Sequence, residues 1–126
     1  MSPSSADGAY SPAFLEHLTR PRSQGRLESA THRGEAVDGV CGDRLWLDLD
    51  VRDGLVREAR FRVEGCPGAI AVGSALATVA VGRAALPEAV GSGDLEVALG
   101  GVPGAKRHAL RLATQTWKAA LRTPTD

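Results

Sequence analysis

Two stretches in the middle of the chain alternate between apolar and polar residues with the period of a β-strand. The apolar positions are Leu45, Leu47, Leu49 and Val51 in the first stretch, and Leu55, Ala59, Phe61 and Val63 in the second. Such alternation predicts strands that each bury one face. Because only residues 52–54 separate them, the two stretches are expected to form an antiparallel pair.

The register of this pair follows from matching the buried faces. A two-residue turn would set Leu45 opposite Arg62 and mix the faces, whereas a three-residue loop sets apolar residues opposite one another. The three-residue loop also puts Gly54 at the left-handed position that such loops favour. We therefore predict that Val51 pairs with Leu55, Leu47 with Ala59 and Leu45 with Phe61.

Extended beyond the strands, this register brings the two cysteines of the chain together. Cys41 and Cys66 come within about one residue of direct opposition. Because neighbouring strands lie about 5 Å apart, both sulfurs are expected at the same end of the sheet.

The rest of the pattern is mainly helical. A helix is expected to begin after Ser11, because a serine oxygen before a proline can accept from free N–H groups. Pro67 likewise suits a first helical turn, and Gly82 ends that helix. We expect helices over 12–19, 67–81 and 104–122, short helical pieces over 87–90 and 94–99, and a strand within 25–40. This order predicts an α+β fold with helices packed on one face of a sheet.

Length and charge limit the number of domains and the classes of binding partner. A chain of 126 residues corresponds to one domain, which we place at residues 10–122, with a disordered tail at 1–9 and a short tail at 123–126. The 15 basic and 15 acidic residues balance, so the chain has no electrostatic footprint for a nucleic acid or an anionic membrane.

The apolar stretches do not predict export or membrane insertion. The longest, residues 69–81, is shorter than the roughly 20 residues of a membrane helix and is expected to be a buried core helix. The N-terminus lacks the basic start and apolar stretch of a secretory signal. The expected compartment is the cytoplasm, where thiols stay reduced.

Cys66 is the first candidate for chemistry. It stands at the start of a predicted helix, where the dipole and free N–H groups favour a thiolate. Gly65, Pro67 and Gly68 leave room for an approaching group. The alternative is a small buried hydrophobic residue, which is common for free cysteine.

Two further segments offer metal ligands. Cys41-Gly42-Asp43 adds a thiol and a carboxylate, which can complete a tetrahedral site for zinc or iron, although an aspartate is also common in turns. His108 lies in the first turns of the last helix and is otherwise a partly exposed helix histidine. His17 and His32 have no nearby ligand-type residues, and we expect structural roles for them.

Three segments of the chain occur in an order and spacing that is typical of one protein family. They are Cys41-Gly42-Asp43, residues 65–71 (GCPGAIA), and Pro103 with Lys106 before His108. With them, the chain resembles the IscU/NifU N-terminal family of iron–sulfur cluster assembly scaffolds. Residues 17–25 (HLTRPRSQG) are similar to the opening of that family, and the resemblance covers roughly residues 10–122.

The resemblance implies both a fold and a function. The implied fold is α+β, a small three-stranded antiparallel sheet with helices packed on one face. At one end of it, Cys41, Asp43, Cys66 and His108 would bind iron, zinc or a 2Fe–2S cluster. In such scaffolds, which are not enzymes, a cysteine desulfurase delivers sulfur and the cluster passes to apo iron–sulfur acceptor proteins.

The sequence departs from the family pattern at two places. Ala109 stands where the family has a third cysteine, its usual persulfide acceptor, which leaves Cys66 as the candidate sulfur acceptor. Residues 102–106 (VPGAK) differ from the Leu-Pro-Pro-Val-Lys segment that a specialised chaperone recognises.

Ala109 also motivates an alternative function. The chain could be a degenerate paralogue that serves the cysteine desulfurase system as an interaction or regulatory module without a cluster. A third hypothesis, a zinc hydrolase with Asp43 as general base, lacks a helical His-Glu-x-x-His pattern. The basic residues of the last helix form a solvated face or, alternatively, a docking surface for an acidic partner; they are Arg107, Arg111, Lys118 and Arg122.

Overall fold

Three antiparallel strands and four α-helices make up the part of the chain that the structure, a computed structural model, describes, which is residues 10–39 and 42–125. The elements in chain order are α1 (Pro12–Thr19), β1 (His32–Val37), β2 (Arg44–Arg52), β3 (Leu55–Glu64), α2 (Pro67–Ala80), α3 (Ser92–Ala98) and α4 (His108–Leu121). The sheet order is β1-β2-β3, with both pairs antiparallel. The predicted α+β class and three-stranded antiparallel sheet are confirmed. The tail expected at 1–9 lies outside the described residues.

The predicted starts of the first two helices are observed. Ser11 caps α1, where its hydroxyl oxygen accepts from the backbone N–H of Phe14 at 3.0 Å. The same hydroxyl donates to the carbonyl of Leu99, which connects α1 to the end of α3. The second helix begins at Pro67, as expected, and ends just before Gly82. The last helix begins later than expected, at His108, because residues 104–106 form a single 3-10 turn.

The predicted register of β2 against β3 is wrong. Asp53 and Gly54 form a two-residue turn with φ angles of 55° and 77°, and Arg52 lies opposite Leu55. Leu47 therefore faces Phe61 and not Ala59.

A β-bulge explains the difference. The register shifts between Asp50, which faces Glu58, and Val51, which faces Val56, so β3 contains one extra residue, Arg57. This insertion realigns the apolar positions of the two strands after the tight turn. The predicted buried face is correct for Ala59 and Phe61 but wrong beside the turn, where Val56 is buried and Leu55 is exposed.

The helices cover one face of the sheet. Helix α2 packs on β3, and α4 packs on β1 and β2. Most of α2 is buried, and so is the inner side of α4, including Trp117. The basic side chains of α4 are exposed, as a solvated face requires; they are Arg107, Arg111, Lys118 and Arg122.

The chain beyond α4 returns to the sheet. The backbone N–H of Thr125 donates to the carbonyl of Thr31 at 2.7 Å, and Pro124 lies against His32.

Among the described residues, no helix has the length and apolar character that crossing a bilayer needs.

Candidate metal centre

The connection between β1 and β2 positions two buried aspartates at one end of the sheet. The backbone N–H of Asp38 donates to the carbonyl of Asp43 at 2.7 Å, and the N–H of Gly42 donates to the carbonyl of Asp38 at 2.8 Å. These bonds hold Asp38 and Asp43 opposite one another, with side chains that are almost fully buried. Cys41, predicted as a ligand, lies outside the described residues, as does Val40.

Cys66 stands at the junction of β3 and α2. It is the N-cap residue of α2, and its carbonyl accepts from the backbone N–H of Ala69 at 3.0 Å. The side chain is half-buried. The structure therefore places Cys66 at the start of a helix, as the sequence predicts.

The carboxylate of Asp43 contacts Cys66 with both oxygens. Its Oδ1 accepts from the backbone N–H of Cys66 at 3.0 Å, and its Oδ2 accepts from the thiol at 3.0 Å. Gly65 makes this approach possible, because a Cβ atom there would lie 2.2 Å from Asp43 Oδ1.

His108 completes the cluster from the start of α4. Its ring is half-buried, and its Nε2 lies 3.3 Å from Oδ2 of Asp38. One ligand atom each of Asp43, Cys66 and His108 lies within 4.8 Å of the others. The structure thus brings together three of the four residues that the sequence predicts as ligands.

The comparisons with known proteins decide the family. The family model described as NifU-like N terminal domain matches residues 9–123. The chain belongs to this family. The resemblance to the IscU/NifU N-terminal family is thereby confirmed.

Relatives and solved structures agree with this assignment. This NifU-like domain is 32% identical over 113 residues to iron-sulfur cluster assembly scaffold protein IscU 1 of Archaeoglobus fulgidus, covering 89% of the chain and 74% of that protein. It is 41% identical over 107 residues to bifunctional protein NifU/MnmA of Rubrobacter xylanophilus, covering 82% of the chain but spanning only 22% of that longer protein. The crystal structure of the N-terminal part of a nitrogen-fixing NifU-like protein from Brucella abortus matches its fold with a TM-score of 0.62 at 19% identity, over 90% of each chain.

The other two histidines of the NifU-like domain lie away from the cluster. His17 Nδ1 is 2.7 Å from the hydroxyl of the buried Ser74, and burial lowers the pKa of His17. His32 Nδ1 is 2.9 Å from the hydroxyl of Thr31. Both contacts match the structural roles that the sequence predicts.

Asp38 is the residue that the sequence analysis missed. Asp38, three residues before Cys41, had no partner in the sequence pattern, because its neighbour His108 is 70 positions away. The sequence indicates a place for Asp38 only when Asp38 and Asp43 are considered together. If Asp38 and Asp43 are opposed across a hairpin loop, both must lie at the same end of the sheet as the ligands.

The thiol of Cys66 is less acidic than its position predicts. Burial raises the pKa of Cys66, and the hydrogen bond and negative charge of Asp43 raise it further. The backbone N–H groups of Gly68 and Ala69 lower it, but by less. The expectation that the helix start favours a thiolate is therefore wrong for the metal-free chain, because burial and the carboxylate of Asp43 outweigh the N–H groups of the helix start.

The raised pKa of Cys66 predicts how its thiol reacts at different pH values. In the metal-free protein, alkylation of Cys66 by iodoacetamide should have a pH midpoint above that of a free cysteine, since only the thiolate reacts. Asp43→Asn should lower that midpoint, because it removes the negative charge beside the sulfur. Mass spectrometry of the peptide that contains Cys66 measures the modification separately from Cys41.

Asp50→Asn is the matched control, since Asp50 is a buried aspartate near the opposite end of β2. It should leave the midpoint unchanged. An Asp43→Asn midpoint equal to that of the unaltered protein would show that Asp43 does not control the thiol.

The donor set fits a transition metal. A carboxylate, a thiol and an imidazole are the ligand types that zinc takes, and thiolate and imidazole also hold iron in iron–sulfur centres. Three such groups from the β1–β2 connection, the β3–α2 junction and the start of α4 converge in the described part of the chain.

Proposed function

We propose that this NifU-like domain is an iron–sulfur cluster assembly scaffold or carrier. It would hold iron, zinc or a 2Fe–2S cluster through Cys41, Asp43, Cys66 and His108. The observation that carries the proposal is the convergence of Asp43, Cys66 and His108, with ligand atoms within 4.8 Å of one another. The relative named as an IscU scaffold, 32% identical to this chain, supports the same function.

The residues around Cys66 suit the reversible uptake of a metal. In the metal-free state the thiol of Cys66 donates a hydrogen bond to Asp43, and this bond favours the protonated sulfur. Binding of a cation reverses this preference, because a metal ligand must be a thiolate and the proton is released on binding. The carboxylate of Asp43 is then free to act as an oxygen ligand.

The sulfur for the cluster would come from a cysteine desulfurase. Cys66 is the candidate acceptor among the described residues, and its half-buried position at the end of the sheet leaves it reachable. Ala109, next to His108, is fully buried and carries no thiol. The finished cluster would pass to apo iron–sulfur acceptor proteins in the cytoplasm.

Anaerobic reconstitution tests the proposal. The protein, purified without oxygen, is incubated with ferric iron and sulfide, and bound iron, bound sulfide and visible absorption are measured. We expect bound iron and sulfide in the unaltered protein and neither in Cys66→Ser. Zinc titration against a chromophoric chelator should show a site that Cys66→Ser weakens on the order of a hundredfold or more, because a thiolate ligand is lost.

Thr78→Ser is a suitable control, since Thr78 is exposed near the far end of α2. It should bind metal like the unaltered protein. If the unaltered protein binds neither iron nor sulfide, and zinc finds no site that depends on Cys66, the proposal is refuted.

The absence of a thiol at Ala109 motivates a second candidate function. A chain that lacks a thiol beside His108 could serve the desulfurase system as an interaction or regulatory module that needs no cluster. Pull-down of a cysteine desulfurase distinguishes the two functions. Binding that persists in a variant with both cysteines replaced by serine favours the module, and binding that requires the thiols favours the scaffold.

A further inference from the structure

Asp38 contributes a buried carboxylate to the candidate site that the ligand set does not include. Its side chain is 6% exposed, and its Oδ2 lies 3.3 Å from Nε2 of His108. This distance is a close electrostatic contact, slightly longer than the usual N–H···O hydrogen bond. Burying a carboxylate costs free energy unless a partner offsets it. The imidazole of His108 is such a partner, and the question is what this contact does for the site.

The backbone fixes where this carboxylate lies. Asp38 follows β1 directly, and its N–H and carbonyl bond to Asp43 and Gly42 across the loop. The loop therefore carries two aspartates with different partners. The carboxylate of Asp43 contacts Cys66, and the carboxylate of Asp38 contacts His108.

Asp38 lies beside His108 and outside the group of ligand atoms. The group whose ligand atoms lie within 4.8 Å of one another consists of Asp43, Cys66 and His108 and does not include Asp38. A carboxylate in this place resembles an outer partner of a metal-binding histidine, which accepts from the ring nitrogen that the metal does not use.

We propose that Asp38 is a positioning residue that holds His108 by Nε2 and so presents Nδ1 to the metal. A neutral imidazole has one N–H, and an ionised carboxylate can only accept a hydrogen bond. The contact with Asp38 thus favours the tautomer with the proton on Nε2 and the lone pair on Nδ1. This inference rests on the proposed function, since it concerns how the same site binds its metal.

Nitrogen-15 NMR of the histidine rings tests the inference on the unaltered protein. The protein is labelled at histidine and recorded at about pH 8, where a histidine of ordinary pKa is neutral, first without metal and then with zinc. We expect the proton of His108 on Nε2 in the metal-free state and zinc on Nδ1 in the loaded state. Zinc on Nε2 would overturn the inference.

Variants separate positioning from general support of the fold. Asp38→Asn should weaken zinc binding roughly 10- to 100-fold, as the loss of such outer partners does, and Asp38→Ala at least as much. Both should leave His108 as a mixture of tautomers in the metal-free state. Asp50→Asn, a buried aspartate near the other end of β2, should change neither readout.

The outcomes distinguish this inference from the proposed function. Zinc that binds with Cys66 and with Nε2 of His108 refutes the inference alone. Tautomers that stay unchanged in folded Asp38→Ala also refute it, because a merely structural role would lower stability without moving the ring proton. A protein that binds neither iron and sulfide nor zinc through Cys66 refutes both.

Discussion

Gly34→Ala is expected to destabilise the fold by about 3 kcal/mol or more, at the upper end of what overpacking costs. A Cβ atom at Gly34 would lie 2.3 Å from the backbone nitrogen of Ala120 and 2.5 Å from its Cα. These are backbone atoms of α4, so no side chain can rotate away. Strand β1 and α4 must separate, although α4 is packed on both β1 and β2.

Thermal unfolding followed by circular dichroism measures this effect. A loss of this size corresponds to a fall in Tm on the order of 10 °C for a domain of this length. Gly93→Ala is the matched control, because nothing lies within 4 Å of a Cβ at Gly93, in the first turn of α3. It should be neutral or stabilise the domain by up to about 1 kcal/mol, since alanine restricts the unfolded chain. Equal Tm values for the two variants would contradict the close packing of β1 on α4.

The helices could be predicted from the sequence because their signals are local. Ser11 before Pro12 gives both the cap and the first residue of α1, and Pro67 and Gly82 bracket α2 in the same way. Such signals depend on the backbone bonds of neighbouring residues and require no knowledge of the rest of the fold. Where 3-10 geometry competes, at residues 104–106, the predicted boundary was wrong by four residues.

The hairpin register could not be predicted because two backbone solutions align the same faces. A three-residue loop and a two-residue turn with a bulge both place Leu45 and Leu47 on the buried side. The structure uses the second solution, with Asp53 and Gly54 both at positive φ and Arg57 inserted into β3. An aspartate followed by glycine is a strong signal for the tight turn, and it outweighs the simpler pairing.

The proximity of Asp43, Cys66 and His108 was predictable from the sequence, but the interactions between them were not. Asp43, Cys66 and His108 follow from ligand-type residues in a recognisable order, and the structure brings them together. The contacts between them depend on burial, which sequence spacing does not give. Burial and Asp43 therefore raise the pKa of Cys66 where a helix start alone would lower it, and Asp38 lies beside His108.

Gly65→Ala is expected to disrupt both the fold and the site. A Cβ atom at Gly65 would lie 2.2 Å from Oδ1 and 2.4 Å from Cγ of Asp43, so the buried carboxylate must move. The backbone N–H of Cys66 then loses its acceptor, and the thiol loses its contact with Oδ2. Loss of a hydrogen bond to a charged group costs about 1.5–3 kcal/mol. Since Asp43 is also a proposed ligand, zinc affinity should fall roughly 10- to 100-fold.

A double-mutant cycle with Asp43→Ala decides whether the collision is the cause. Gly65→Ala should cost less stability when Asp43 is already alanine, because Oδ1 and Cγ are gone and only the Cβ of residue 43, at 2.7 Å, is still struck; the coupling should be about 1 kcal/mol or more. Gly82→Ala controls for backbone strain: Gly82 has a φ of 90°, and nothing lies within 4 Å of a Cβ there. It should lower stability and leave the zinc affinity unchanged. Additive costs in the cycle would mean that Gly65 serves the backbone alone, and the close approach of Asp43 to Cys66 would then owe nothing to the missing side chain.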